Sequence, residues 1–321
     1  MHPGDVLLST VSQSPSVLLS GPLSPDGDSV GACLALARTL EDRGVRCVVT
    51  GDIGYRYDWM PDAKRLVPDA DLTGSWHTVI IMDGDRHRLP ERVGELFADA
   101  KLTVVVDHHI STIADEYDVA WVQADATSTC EMIYGLLQRA QIPIDHDMAT
   151  WLHTGTVFDT GGLRHTNTSA ATLAMTSHLI ACGANHADIC RRVLSLRRWR
   201  GVRAMASILG AAEPLLEGRL AIGVVTQQMT QELKLSNDDI EGVIDYLCNI
   251  VGVEVAILLY ERSDNRVKVS LRSHRVDVAA IAASLIPSGG GHTRAAGALC
   301  STSTDQLKAQ IVQLVRASLP H

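Results

Sequence analysis

The sequence predicts an α/β protein with a parallel, doubly wound N-terminal domain, a smaller α/β C-terminal domain, and a cleft between them. Short apolar runs rich in Val and Ile alternate with segments of helical periodicity in the first half of the chain. This alternation is typical of a parallel sheet covered by helices. Further strand-like runs follow a mostly helical stretch, and a length of 321 residues usually accommodates two domains.

Four apolar runs predict the strands of the first domain. The runs are continuous rather than alternating, so we expect each strand to be buried on both faces. They lie at residues 16–20, 45–50, 78–82 and 103–106.

Capping residues predict where two helices of this domain begin. Ser29 precedes a segment of helical periodicity that ends at Gly44. Ser128, with Glu131 three residues later, forms a capping box ahead of a second helical segment.

The second half of the chain predicts a helical stretch and then a second α/β unit. Residues 168–213 show mostly helical periodicity, and three strand-like runs follow it, at 219–226, 253–261 and 266–273. We therefore expect a first domain, a helical linker and a second domain, with boundaries at 1–190, 191–214 and 215–321.

Composition limits the partners of the protein. The chain has 28 Lys and Arg against 37 Asp and Glu, a net charge of −9. This balance argues against binding of long duplex nucleic acid, which requires many cations against phosphates, but it allows short RNA or small phosphorylated nucleotides. The N-terminus lacks a basic segment ahead of its apolar stretch, and no apolar run approaches the ~20 residues that span a bilayer. We expect a cytoplasmic protein with no membrane partner.

A local basic cluster stands out on this acidic chain. Six arginines lie in the helical stretch, and two interpretations are open: a solvated helix face, or guidance of an anionic substrate into the expected cleft between the domains. They are Arg191, Arg192, Arg197, Arg198, Arg200 and Arg203.

Acidic and imidazole side chains follow three of the predicted strands directly. Because the carboxyl ends of neighbouring parallel strands line one crevice, these groups are expected to converge. Carboxylates with imidazole suit Mn, Mg or Fe, and the absence of cysteine from these motifs disfavours structural zinc. The residues are Asp26, Asp28, Asp83, Asp85, Asp107, His108 and His109.

Five motifs in order resemble the DHH family of phosphoesterases. They are PDGDSVG, DG after an apolar strand, VVVDHH, DTGGLRHTNTS, and SLRS with GGGHTRAAGA, and they span residues 17–300. The last motif resembles the C-terminal domain associated with that family. Within the family the chain is most similar to the stand-alone oligoribonucleases, which degrade very short RNA and often dephosphorylate 3′-phosphoadenosine 5′-phosphate.

The resemblance implies a site for two divalent cations, usually Mn²⁺, with Mg²⁺ or Fe²⁺ as alternatives. Two cations would activate a water and stabilise in-line displacement at phosphorus. The implied ligands are Asp26 on the first metal, Asp28, His108 and Asp159 on the second, and Asp83 between both. Asp107 would orient the histidines, and His109 would contact the phosphate or the leaving oxygen.

One position departs from the family pattern. The first motif usually carries a histidine ligand where this chain has Pro22. Three outcomes are open: the first metal binds weakly, Asp85 or His87 replaces the missing ligand, or the protein is a one-metal enzyme or a non-catalytic binder.

The second domain is expected to hold the substrate. The resemblance assigns Arg272 and Ser273 to phosphate binding, and the loop Gly289, Gly290, Gly291 and His292 to a clamp. Glycines let the backbone approach a phosphate, and a helix N-terminus after the loop would favour an anion.

The expected function is metal-dependent hydrolysis of short oligonucleotides, linear dinucleotides or 3′-phosphoadenosine 5′-phosphate. The alternatives are a cyclic-dinucleotide phosphodiesterase and a catalytically impaired nucleotide-binding regulator. A homodimer is also left open.

Overall fold

The structure is a computed structural model, and it describes residues 2–287 and 289–319. The chain forms two compact units, Met1–Leu196 and Arg197–His321. The predicted helical linker is thereby divided, because its first residues lie in unit 1 and the helix Trp199–Gly210 lies in unit 2. No helix among the described residues is long and apolar enough to cross a membrane.

Unit 1 contains a five-stranded sheet in which every pair of neighbours is parallel, in the order β2-β1-β3-β4-β5. This confirms the predicted doubly wound α/β domain. The four predicted strands are present, and the sequence analysis missed β5. The strands are β1 Ser16–Ser20, β2 Arg46–Thr50, β3 Thr78–Met82, β4 Leu102–Asp107 and β5 Val119–Val122.

The helices of unit 1 surround this sheet. They are α1 Pro3–Val11, α2 Gly27–Glu41, α3 Glu91–Ala98, α4 Thr129–Arg139, α5 His146–Asp159, α6 Ala170–Ala181 and α7 His186–Cys190, which continues into a π-helical turn at Arg191–Ser195.

Both faces of this sheet are buried, as the continuous apolar runs predict. Alternate strand residues point to opposite faces, so Leu19 and Ile80 join the cluster that includes side chains of α2 and α5. Leu18 and Ile81 join the cluster on the other side, which includes Phe97 of α3.

The start of α2 differs from the prediction. Asp26, not Ser29, is the N-cap: its carboxylate accepts hydrogen bonds from the backbone N–H groups of Asp28 and Ser29, and the Ser29 hydroxyl accepts one from the N–H of Asp26. An aspartate is as good a cap as a serine. Ser29 therefore lies at the third helical position (N3) instead of at the predicted N-cap.

Unit 2 is built on a six-stranded mixed sheet in the order β10-β11-β9-β8-β7-β6, in which only β7 and β8 pair in parallel. The strands are β6 Glu213–Leu215, β7 Leu220–Val225, β8 Val255–Glu261, β9 Val267–Ser273, β10 Gly290–His292 and β11 Ala295–Cys300.

Each face of this sheet is covered by helices. Ile257 and Leu271 belong to the core that contains side chains of α12 and α13, and Ala256 and Leu258 to the core that contains side chains of α8 and α11. The helices are α8 Trp199–Gly210, α9 Gln227–Leu233, α10 Asn237–Ile240, α11 Val243–Cys248, α12 Val278–Leu285 and α13 Thr304–Ser318.

Candidate active site

The acidic motifs lie at the carboxyl edge of the first sheet. The chain passes from β1 to β2 on one side and returns to β3 on the other, and such a reversal opens a crevice where ligands bind in doubly wound proteins. Asp83 follows β3 with a left-handed backbone (φ 61°), and its N–H donates to the carbonyl of Val106 on β4. This conformation, uncommon outside glycine, keeps the Asp83 carboxylate at the sheet edge.

Four predicted metal ligands converge here. Asp28, Asp83, His108 and Asp159 each offer one ligand atom, and these four atoms lie within 4.8 Å of one another. His108 Nε2 lies 3.4 Å from Asp83 Oδ1 and 3.3 Å from Asp159 Oδ2. The four side chains come from the start of α2, the ends of β3 and β4, and the end of α5.

The N-terminus of α4 orients Asp28. Its Oδ2 accepts a hydrogen bond from the N–H of Thr129 (2.6 Å), and its Oδ1 accepts one from the N–H of Cys130 (2.8 Å). Gly155 on α5 leaves room for this carboxylate, since a Cβ at that position would lie 2.6 Å from Asp28 Oδ1. None of these three residues was predicted from the sequence. The capping box at Ser128 predicted where α4 begins, but not that the N–H groups of its first turn face Asp28.

The carboxylates destabilise one another's charged forms. Burial, and then repulsion from neighbouring carboxylates, raises the pKa of Asp83 and of Asp159 well above the usual range. Burial lowers the pKa of His108, but the carboxylates of Asp159, Asp28 and Asp107 outweigh it, so the net shift is upward. The site therefore favours positive charge.

The donor set and one orphaned atom fit a divalent cation. Asp159 Oδ2 is buried and has no hydrogen-bond partner among the described residues, although a buried carboxylate oxygen ordinarily has one. Three carboxylates and one imidazole form a donor set that suits Mn²⁺, Mg²⁺ or Fe²⁺. A cation bound among these four residues would satisfy the oxygen and relieve the repulsion.

Asp107 and His109 form a second pair beside this cluster. His109 Nδ1 lies 2.7 Å from Asp107 Oδ1, and the Thr112 hydroxyl donates to Asp107 Oδ2. Burial opposes ionisation of Asp107, but the hydrogen bonds from His109 and Thr112 outweigh it and lower its pKa. An ionised Asp107 accepts a hydrogen bond from His109 Nδ1, which fixes the orientation of the His109 ring. Thr112 is a further residue that the sequence analysis missed.

Asp26 lies outside every group of three or more close ligand atoms found across residues 2–287 and 289–319. Its Oδ1 is engaged in capping α2. Burial, and then repulsion from Asp28, raises the pKa of Asp26. Its role as a first-metal ligand stays a prediction.

Pro22 is buried beside the loop that carries Asp83. A Cβ built on Gly84 would lie 3.5 Å from the Pro22 Cβ. A side chain at position 22 therefore lies beside Gly84, the residue that follows Asp83.

The two candidates to replace the missing histidine are engaged elsewhere. Asp85 Oδ1 accepts a hydrogen bond from the N–H of His87, and His87 Nε2 lies 3.1 Å from Glu116 Oε2. Neither belongs to a close group of ligand atoms among the described residues. The structure does not support replacement by either residue.

The two predicted phosphate-binding residues of unit 2, Arg272 and Ser273, differ in burial and in hydrogen bonding. Arg272 lies on β9, and its Nε is 3.7 Å from Asp245 Oδ1. Both side chains of this ion pair are partly exposed, so a phosphate could replace the carboxylate. Ser273 is buried, and its hydroxyl donates to the carbonyl of Val276. Phosphate binding by Arg272 and Ser273 stays a prediction.

The expectation of a glycine loop followed by a helix N-terminus is wrong. Gly290, Gly291 and His292 form β10, which pairs antiparallel with β11. A Cβ on Gly291 would lie 2.6 Å from the carbonyl oxygen of Ala295, and one on Gly289 would lie 2.2 Å from that of Ala282. These glycines therefore allow close packing of backbones, and assignment of the four residues 289–292 to substrate binding stays untested.

Comparisons with known proteins identify two domains in the chain. Residues 16–156 match the DHH family, N-terminal domain, and residues 221–319 match the DHHA1 domain. The chain is 27% identical to a bifunctional oligoribonuclease and PAP phosphatase NrnA of Thermus thermophilus, over 92% of this chain and 88% of that protein. The Bacillus subtilis protein of the same name is 23% identical over 91% of each chain.

Two solved structures share the fold. An exopolyphosphatase-related protein from Bacteroides fragilis superposes with a TM-score of 0.87, at 21% identity, over 98% of this chain and 96% of that one. A Mn²⁺ complex of RecJ from Thermus thermophilus superposes with a TM-score of 0.60, at 13% identity, over 99% of this chain and 54% of that one.

Proposed function

The chain belongs to the DHH family, and from that premise we propose that it is a metal-dependent phosphoesterase that hydrolyses short oligoribonucleotides and 3′-phosphoadenosine 5′-phosphate. The observation that carries the proposal is the convergence of Asp28, Asp83, His108 and Asp159, whose ligand atoms include a buried Asp159 oxygen that accepts no hydrogen bond among the described residues. The names of the two bacterial relatives support the substrate class.

We propose that these four residues hold one cation and that Asp26 and Asp83 take part in a second, weaker site. Mn²⁺ is the cation we expect, because the donor set is rich in oxygen and has a single imidazole. When bound, such cations would neutralise the carboxylates, hold phosphoryl oxygens and lower the pKa of an attacking water.

The chain's own residues have separate roles in this scheme. The backbone N–H groups of Thr129 and Cys130 hold the Asp28 carboxylate in one orientation. Asp107 accepts a hydrogen bond from His109 Nδ1 and holds the imidazole beside the cluster. We propose that His109 contacts the phosphate or protonates the leaving oxygen there, and that Arg272 binds a terminal phosphate.

The test is loss of activity without loss of fold. Asp83→Asn and Asp159→Ala should each reduce hydrolysis of a diribonucleotide by at least about 10³-fold, while the thermal unfolding midpoint stays at or above the wild-type value because a repelling charge is removed. Asp85→Asn is the matched control, since Asp85 caps a turn outside the cluster. Retained activity in either variant would exclude the proposed centre.

A second candidate function is a nucleotide-binding regulator that does not turn over its ligand. Pro22 at the ligand position and the capping role of Asp26 favour it. Tight binding of a dinucleotide without hydrolysis, in the presence of Mn²⁺, would establish this function in place of the enzyme.

A further inference from the structure

The first residue of α8 exposes an aromatic ring in unit 2. The Trp199 side chain is 81% exposed, whereas Ala204 and Ile208 of the same helix are buried against the sheet. Val202, one turn along, is also exposed. A large flat ring in water that serves no core is the kind of surface on which a planar ligand stacks.

A groove adjoins this ring, between α8 and α9. It has two connected parts of about 490 and 560 Å³, and both are lined by Arg203, Glu232 and Leu233. Trp199 closes one end, and Thr226 and Gln228 line the other. Each part has the volume of a small-molecule site.

The charges in this region leave one arginine available. Arg191 and Arg192 both pair with Asp188, and Arg200 pairs with the buried Asp239 at 2.8 Å. Arg203, in contrast, makes no hydrogen bond or ion pair with any residue in the described part of the chain. Its guanidinium lines both parts of the groove with its full set of donors.

The acidic residue of the groove has a defined orientation. Gln228 Nε2 donates to Glu232 Oε1 at 2.8 Å, so the second carboxylate oxygen is left to accept. A carboxylate repels phosphate but accepts hydrogen bonds from base amines and ribose hydroxyls. The groove thus presents an aromatic face, a cation and an acceptor.

We propose that this groove, which we call the Trp199 groove, is a binding subsite for single-stranded RNA. A base stacks on the Trp199 indole, the neighbouring phosphate pairs with Arg203, and Glu232 accepts from a base amine or a ribose hydroxyl. A polyanion without bases has no ring to stack on Trp199, and its charge is repelled by the Glu232 carboxylate. An apolar peptide has no anion to pair with Arg203. A nucleotide therefore fits the groove best. The inference rests on the proposed function only in taking RNA as the ligand.

The test measures binding without turnover. The full chain is titrated, in EDTA, against fluorescein-labelled penta-adenylate, and fluorescence anisotropy is recorded. Trp199→Ala and Arg203→Ala should each weaken binding about tenfold, because stacking and charge pairing each contribute at this level. Trp199→Phe should recover most of the affinity, since it keeps an aromatic face.

The matched control is Arg266→Ala, which removes an exposed arginine of the same unit outside the groove. Unchanged affinity in both Trp199→Ala and Arg203→Ala, no binding by the wild type, or equal weakening in Arg266→Ala would overturn the proposal. The proposal would also be overturned if tripolyphosphate displaced the labelled RNA as well as unlabelled RNA does at the same concentration of phosphate groups. If RNA binding depends on Trp199 but the protein hydrolyses none of the substrates, this inference stands and the proposed function is wrong. If the protein hydrolyses the substrates but Trp199→Ala does not change RNA binding, the proposed function stands and this inference is wrong.

Discussion

At the scale of single residues, the sequence motifs predicted the side chains of the candidate metal site but not the backbone groups that orient them. Asp28, Asp83, His108 and Asp159 were predicted from their motifs, and the structure brings them together. The backbone donors of Thr129 and Cys130 could not be predicted, because their positions depend on how α4 packs on α2 rather than on any side-chain type.

Pro22→His should strengthen binding of a second metal ion. Position 22 lies beside Gly84, the residue after Asp83, so an imidazole there would add the ligand expected from the first motif of the family. We expect at least about tenfold tighter binding of the second Mn²⁺, measured by calorimetry and by metal content after dialysis. Pro25→His is the matched control. No gain in Pro22→His would show that another group already completes the site.

Arg272→Ala should impair substrates that carry a terminal phosphate. The Nε of the Arg272 guanidinium lies 3.7 Å from Asp245 Oδ1. Loss of a charge-assisted contact predicts a KM about tenfold higher for 5′-phosphorylated dinucleotides. The KM for bis(p-nitrophenyl) phosphate should change little, and Arg262→Ala should change neither. Equal effects on both substrates would exclude Arg272 from phosphate recognition.

At the scale of elements, the sequence predicted what depends on local patterns. The four predicted strands followed from their apolar runs, whereas β5 was missed because it is an edge strand of four residues, three of which are only partly buried. The glycine segment at 289–292 was assigned to a loop, but residues 290–292 form β10, which pairs with β11, and Gly289 packs against the backbone of α12. Glycine runs occur both in loops and where two backbones pack closely, so the residue type alone did not distinguish the two.

Gly155→Ala tests the packing of α5 on α2 behind the site. The added Cβ would lie 2.5 Å from Cys130 Sγ and 2.6 Å from Asp28 Oδ1, so the Asp28 carboxylate must move. We expect a loss of about 1–3 kcal/mol in the free energy of unfolding, together with weaker Mn²⁺ binding, measured by denaturation and calorimetry.

Gly94→Ala is the control for this prediction. Gly94 lies inside α3, and a Cβ there meets nothing within 4 Å. The change should stabilise the protein by about 0.5–1 kcal/mol, because alanine is the better helix former. Metal binding in Gly155→Ala equal to that of the wild type would contradict the positioning role.

At the scale of the whole molecule, one buried histidine predicts how stability depends on pH. His153 of α5 is fully buried, and its Nε2 lies 2.9 Å from His186 Nδ1. Burial, and then repulsion from His186, lowers the pKa of His153 to about 4. Between pH 6.5 and 4 the unfolded chain binds a proton that the folded chain does not, so stability falls as pH falls through this window, by up to about 3 kcal/mol.

His153→Gln should flatten this decline. The difference in unfolding free energy between pH 7 and pH 4.5, measured in EDTA, should shrink by about 2 kcal/mol relative to the wild type. His146→Gln on the first turn of the same helix is the control, because that side chain is exposed. An unchanged pH dependence in His153→Gln would show that His153 is not held neutral.

The order of the strands also explains why the chemistry could be predicted before the fold was known. In the order 2-1-3-4-5 the ends of β1, β3 and β4 meet at one edge, so three motifs far apart in sequence fall into one crevice. The roles of the second unit were harder to predict, because Arg272 and Ser273 lie on β9 and Gly290, Gly291 and His292 form β10, and residues on paired strands carry no local signal of substrate binding.

The central claim is that this crevice hydrolyses phosphoester bonds of short nucleotides with a divalent cation. The most direct measurement is turnover by the purified chain, with bound metals counted, on RNA of two to five nucleotides, linear and cyclic di-AMP, 3′-phosphoadenosine 5′-phosphate and pyrophosphate. We predict hydrolysis of the short RNAs and of 3′-phosphoadenosine 5′-phosphate, abolished by EDTA and restored by Mn²⁺. Nucleotide binding without turnover of any of these substrates, in a chain loaded with Mn²⁺, would contradict the claim.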